Sequence, residues 1–205
     1  MNALASLAPF ARTWRPVARA GERCEMCAEP IDEHRHRHLV DLERRLILCA
    51  CSGCGLGQAG AAGRYRTVPT RVLTDATFSL DDAQWNALQI PVRLAFIFFN
   101  SSLGRWVALY PSPAGAAESQ LPLEAFAPVA AATPLVAAAE PDVEALLVYG
   151  RLGRPFQLFL APIDVCYQLV GKVRVHWTGF HGGDRAWQEI ESFFADLRAQ
   201  SGAAA

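Results

Sequence analysis

No apolar run in this chain approaches the roughly 20 residues that a membrane span needs. The longest, such as "LAFIFF", stop far short. Charge is also scarce: 19% of the 205 residues are charged, and the formal net charge is −1. That balance gives no surface for nucleic acid or for an anionic membrane, and no basic stripe interleaved with aromatics is present. Internal repeats are missing, and the only biased stretches are the alanine-rich middle and the tail "SGAAA". The common catalytic signatures are missing too. There is no Gly-rich phosphate loop, G-x-S-x-G elbow, H-E-x-x-H or pair of carboxylates in helical register. With no nucleophile–base pair to read, the expected role is not enzymatic.

The start, "MNALASLAPFARTWRP", has its arginines after the apolar part, the wrong order for a secretory signal. A cytoplasmic protein is therefore expected, with its cysteines reduced, so clustered pairs point to metal rather than to disulfides. Residues 1–21 read as an N-terminal tail. Leu4, Leu7 and Phe10 would share one face of a short helix there, and a frayed tail is the alternative.

What the chain does have is one dense segment. "GERCEMCAEPIDEHRHRHLVDLERRLILCACSGCGLG", Gly21 to Gly57, holds five of the six cysteines and three of the five histidines. Cys24–Cys27 and Cys51–Cys54 are both C-x-x-C. Two cysteines at that spacing on a tight turn aim both sulfurs at one ion, and two such turns complete a tetrahedron. Gly55, directly after the second pair, would let that turn close with backbone N–H groups pointing at sulfur. Between the pairs, "HLVDL" and "RLILCA" read as two short strands joined at the charged "ERR". The module, residues 22–63, is zinc-ribbon-like or rubredoxin-like, and too short to hold together by burial alone. Zinc is the expected metal. Iron, or an iron–sulfur cluster, is the alternative, because four thiolates suit either.

Two features add further candidate ligands. Cys49 stands two residues before Cys51. It reads as a small buried residue, with a spare thiol or a ligand as the alternatives. His34, His36 and His38 would share one face of a strand and suit a second metal, nickel among them. On a loop they would be solvated, and Arg35 and Arg37, by repelling a cation, favour the loop.

Past the linker "GQAGAAGRY", residues 64–200 read as an α+β domain and residues 201–205 as a disordered tail. "SLDDAQWNALQI" is a helix with Ser79 as N-cap, Asp82 three residues on, and Trp85 and Leu88 buried. Phe96–Phe99 and Trp106–Tyr110 form a hairpin about "NSSLG". "PSPAGAAESQLP" reads as a long irregular loop that carries Glu118, Ser112 and Ser119. The alanine-rich stretch is helical, broken at Pro128 and Pro134. "DVEALLVYG" and "RPFQLFLAP" pair about "RLGR". Asp164 and Asp184 cap two closing helices. Cys166, Leu169, Val173 and Trp177 are apolar positions of the first, and Trp187, Ile190, Phe194 and Leu197 of the second. Cys166 is thus a core residue, and His176 a solvated one at a helix end. The expected fold class is α+β: an N-terminal zinc-ribbon-like four-cysteine module, then a mainly antiparallel sheet with packed helices.

The phrases "ERCEMCAEPI", "HRHLVDLERRLILCACSGC", "FSLDDAQWNALQIPVRLAFIFFNSS", "VALYPSPAGAAES", "EPDVEALLV" and "PIDVCYQLVGKVRVHWTGFHGGDRAWQEIESFFADL" resemble a bacterial family of unknown function. Its members tend to be encoded beside genes for [NiFe] hydrogenases of the actinobacterial, oxygen-tolerant kind. The resemblance runs from about Glu22 to Leu197 and includes Cys24, Cys27, Cys49, Cys51, Cys54, His36 and His38. It implies an accessory protein that contacts a hydrogenase subunit or maturation factor. It carries over no catalytic residue. A rubredoxin-like electron carrier and a nickel-handling protein are the alternatives.

Overall fold

The computed structural model describes residues 22–31, 36–58, 63–119, 123–151, 153–179 and 182–203. His34 and the face of Leu4, Leu7 and Phe10 lie outside the described residues. The chain forms two compact units that meet in sequence between Pro69 and Thr70.

The first unit is built on a three-stranded sheet. Strand β1 (Arg37–Asp41) pairs antiparallel with β2 (Leu46–Ala50), in a register that runs from Arg37 opposite Ala50 to Asp41 opposite Leu46. Strand β3 (Tyr65–Thr67) takes the other edge of β1, giving the order β2-β1-β3. The unit therefore extends to Pro69, whereas the sequence suggested a boundary after Gly63. Asp41 explains the difference. Its carboxylate, 1% exposed, accepts from Arg64 Nε at 2.9 Å and Arg64 Nη2 at 2.6 Å. It also accepts from the backbone N–H groups of Glu43 and Arg44. A buried carboxylate needs such partners, and one of them is the residue that leads into β3. Helix α1 (Ser52–Gly57) follows β2 at once. Cys24, Ile31, Leu39, Cys49 and Ala50 form the small core.

The second unit is a seven-stranded sheet in the order β10-β4-β9-β8-β5-β6-β7. Its strands are β4 (Leu73–Thr74), β5 (Leu94–Asn100), β6 (Arg105–Ser112), β7 (Gly115–Ser119), β8 (Glu144–Tyr149), β9 (Gln157–Pro162) and β10 (Gly202–Ala203). All pairings are antiparallel except β10 with β4. The central strand β8 is buried at every residue, as a strand covered on both faces must be. On one face Ile97, Leu146, Val148, Leu158 and Leu160 pack with Trp85, Leu88, Phe126 and Leu135. Those four come from in and around α2 (Asp82–Ala87), α3 (Leu123–Ala131) and α4 (Leu135–Ala138). On the other face Phe96 meets Tyr167 and Phe159 meets Phe194. These partners belong to α5 (Ile163–His176) and α6 (Gly183–Gln200). Cys166 is fully buried there as a core residue, and burial pushes its thiol well above the ordinary range. The α+β class and the mainly antiparallel sheet with packed helices are thus what the structure has.

Several expectations are corrected. The cap of α2 is Asp81, in a capping box with Gln84, because a carboxylate and an amide three residues apart satisfy both orphan N–H groups. Ser79 is not the cap. "PSPAGAAESQLP" is mostly strand: β6 turns at Pro113–Ala114 into β7, held by Ser112 Oγ donating to Gly115 O at 2.8 Å. Glu118 there pairs with Arg105 at 2.9 Å. Helix α3 runs through Pro128, whose carbonyl still accepts from Ala132 N. Pro162 and Gly182, not Asp164 and Asp184, are the N-caps of α5 and α6, and both aspartates stand in the first turn, where the helix dipole favours them. Trp187 is 39% exposed rather than part of the core stripe, while Ile190, Phe194 and Leu197 are buried. Gly202–Ala203, expected in a disordered tail, pairs with Leu73–Thr74.

Candidate metal centre

Two short turns build the centre. In the first, Cys24 N donates to Glu29 O at 2.7 Å and Ala28 N to Cys24 O at 2.8 Å, with an isolated bridge between Arg23 and Pro30 outside them. Ala28 takes a left-handed backbone, φ 64°, a conformation that non-glycine residues rarely adopt. Glu25 ties this turn to the end of β2. Its N–H donates to Cys49 O at 2.9 Å, and its carboxylate accepts from Cys49 N at 2.8 Å.

The second turn is the start of α1. Cys51 is its N-cap, in extended backbone, and its sulfur accepts from Cys54 N at 3.5 Å. A backbone N–H thus points at sulfur, as the spacing implied, and Gly55 N closes the turn on Cys51 O at 2.9 Å. Gly55 lies within α1 without a left-handed backbone, so the need for glycine there comes from close packing rather than from the turn. A Cβ there would fall 2.5 Å from Arg37 Cβ and 2.7 Å from Arg37 Cγ.

These turns bring one sulfur from each of Cys24, Cys27, Cys51 and Cys54 within 4.8 Å of one another. Cys27 Sγ and Cys51 Sγ are 3.7 Å apart. With a zinc–sulfur bond of about 2.3 Å, the edge of a tetrahedron of thiolates is about 3.8 Å. The donor set therefore fits a tetrahedral metal ion. Cys24 is buried, Cys51 and Cys54 are half-buried, and Cys27 is exposed. Thiols this close compete for charge. Cys54 is pushed up to about 12 by its hydrogen bonds with the Cys27 and Cys51 side chains, with burial adding to the shift. At Cys24 burial acts upward, but hydrogen bonds from the backbone of Cys51, Cys27 and Met26 outweigh it and bring the thiol down to about 6. A metal ion removes this competition, since it is what lets all four stay ionised together.

Cys49 is not one of the gathered four. It is 6% exposed in the small core, among Cys24, Ile31, Leu39 and Ala50, as a buried residue. Of the histidines, His38 departs from the loop expectation. His38 lies in β1, His36 immediately precedes it, and their Nε2 atoms are 3.2 Å apart. Arg37 packs the stem of its side chain against Gly55, and strand alternation sets it on the face opposite His38. Sequence reasoning missed Glu25 and Asp41. An aspartate inside the apolar "HLVDL" was the available signal for the second.

One family model matches residues 23–201, from the first cysteine turn to the end of α6. The chain belongs to the DUF5947 family, a family of unknown function. All four cysteines of the centre, and His36 and His38, fall within the DUF5947 match. No curated protein and no solved structure matches the chain. Among the described residues of this DUF5947 protein, no helix is long and apolar enough to cross a membrane.

Proposed function

We propose that this DUF5947 protein holds one zinc ion on Cys24, Cys27, Cys51 and Cys54, and that it acts by contact with another protein, in the assembly or maturation of a [NiFe] hydrogenase. The observation that carries the metal reading is the gathering of four sulfurs from two separate turns within 4.8 Å. Four protein ligands close the coordination sphere and leave no position for substrate or activated water, so the ion would supply folding energy rather than chemistry. The chain's own part is to position the sulfurs. Glu25 pins one turn to β2, and the Cys51 cap and Gly55 shape the other. The hydrogenase assignment rests on the resemblance of the long sequence phrases to proteins encoded beside such hydrogenases, which is an argument by association.

Two experiments test the parts separately. Protein purified without added metal should be colourless and carry one equivalent of zinc, whereas a red protein with a reversible one-electron couple would establish the iron carrier instead. Deletion of the gene in a hydrogenase-bearing host should lower hydrogenase activity, and a tagged copy should capture a hydrogenase subunit or maturation factor. Normal activity with no such capture refutes the assembly role.

A further inference from the structure

We infer that His36 and His38 form a second metal site, separate from the four-thiolate centre, which takes a divalent ion of the zinc, nickel or copper class on two imidazole nitrogens. The geometry is specific. The two Nε2 atoms are 3.2 Å apart, with ring centroids 4.8 Å apart and planes inclined at 69°. With metal–nitrogen bonds of about 2.0–2.1 Å, two nitrogens on one tetrahedral ion are separated by about 3.3 Å, and two adjacent square-planar ones by about 2.9 Å. The observed spacing lies between these values. Both nitrogens therefore already stand at the bite distance of a single ion.

The backbone produces this arrangement. Residues two apart along extended chain share a face, and β1 holds that conformation through its pairing with β2 and β3 and through Val68 N donating to His38 O at 2.9 Å. The residue between them, Arg37, packs its stem on Gly55 at the other face. Both histidines are half-buried. The register sets His38 opposite Cys49. Even so, among the described residues the four cysteines are the only gathering of three or more ligand side chains, so two imidazoles are the described donors here. Imidazole is the ligand of zinc, copper and nickel rather than of calcium or magnesium. An ion held by two protein donors keeps open positions for solvent or for a partner's ligand, so this ion exchanges where the first does not.

The test uses the full chain with its four-thiolate centre already loaded with zinc. Nickel(II), and separately zinc, is titrated in and followed by calorimetry and by the NMR signals of the histidine rings. The first equivalent of metal, fixed before the titration, reports on the reading given under Proposed function, and the titrated equivalent reports on this one. One further equivalent should bind, with nickel broadening or shifting the ring signals of His36 and His38 together. His36→Ala and His38→Ala should each weaken that equivalent more than about a hundredfold, beyond the usual effect of losing a supporting contact, while the first equivalent of zinc stays bound. A chain that binds no further metal overturns the inference, and a merely shared proton between the rings gives that result. Binding that leaves the two ring signals of the unsubstituted chain unchanged also overturns it, and this readout stands even if a variant fails to fold.

Discussion

Cys27 Sγ lies 3.7 Å from Cys51 Sγ, although residues 28–50 separate them in the chain. That closeness joins the two turns across the β1–β2 hairpin, so loss of the proposed zinc ion and loss of the first unit's fold should coincide. Cys24→Ser or Cys54→Ser should remove the bound metal, measured by elemental analysis, and collapse the NMR dispersion of residues 22–58. Chelation at neutral pH should do the same to the unsubstituted chain. A Cys24→Ser protein with full metal content and an intact spectrum would contradict the site.

Gly55 and Arg37 give a sharper test, because neither is a ligand. A methyl group on Gly55 would meet the root of the Arg37 side chain, which cannot swing aside as its tip could. Gly55→Ala should cost the first unit about 1–3 kcal/mol, the usual range for overpacking. The variant should release metal to a competing chelator sooner than the parent. Gly57→Ala, with open space around it, is the control and should change little by comparison.

Asp41 predicts a pH dependence. Burial acts to raise its carboxyl, but the Arg64 guanidinium and the backbone N–H groups of Arg44 and Glu43 outweigh this and hold it below the usual carboxylate range. A carboxyl lowered in the folded state stabilises above its unfolded value, and that contribution is lost as pH falls through the lowered one. With metal saturating, Asp41→Asn should therefore lower the melting temperature most near neutral pH. The gap from the parent should narrow as the solution is acidified. A gap that is flat with pH, or that widens in acid, would show that the ion pair is not the source.

The second unit should fold without metal. A fragment from Thr70 to Ala205 should unfold cooperatively, with a transition that chelators do not move. Within it, Trp85 is 2% exposed and stacks on Phe156 with ring centroids 4.8 Å apart. Trp85→Ala should cost about 3–5 kcal/mol by denaturant titration. A disordered fragment would show that this core needs the first unit.

Much of this was legible in the sequence where the deciding interactions are local. The two C-x-x-C pairs marked the four sulfurs because a tight turn is specified by residues within a few positions of each other. Short stretches that alternate or run apolar, "HLVDL", "RLILCA", "LAFIFF" and "WVALY", each closed by a charged or turn-forming segment, marked strands because that pattern is itself local. Cap assignments were harder. Asp81, Pro162 and Gly182 each stand two positions from the expected cap; at Asp81 a neighbouring polar residue took the N–H groups, while Pro162 and Gly182 start their helices without any side-chain cap.

By itself, then, the sequence determined a four-cysteine module ahead of an α+β domain, and Cys166, Leu169, Val173, Ile190, Phe194 and Leu197 as core positions of the last two helices. Only the tertiary structure decided that Tyr65–Thr67 completes the first sheet, that Gly115–Ser119 is a strand, and that Trp187 is surface. It alone set His36 against His38 and separated Cys49 from the four gathered sulfurs. An edge strand depends on a partner distant in the chain, and the exposure of an aromatic on what packs beside it, and neither leaves a periodic mark on the residues themselves. The imidazoles share a face by the local two-residue period, and the tertiary structure decided that the chain there is strand, through the pairing of β1 with β2 and β3.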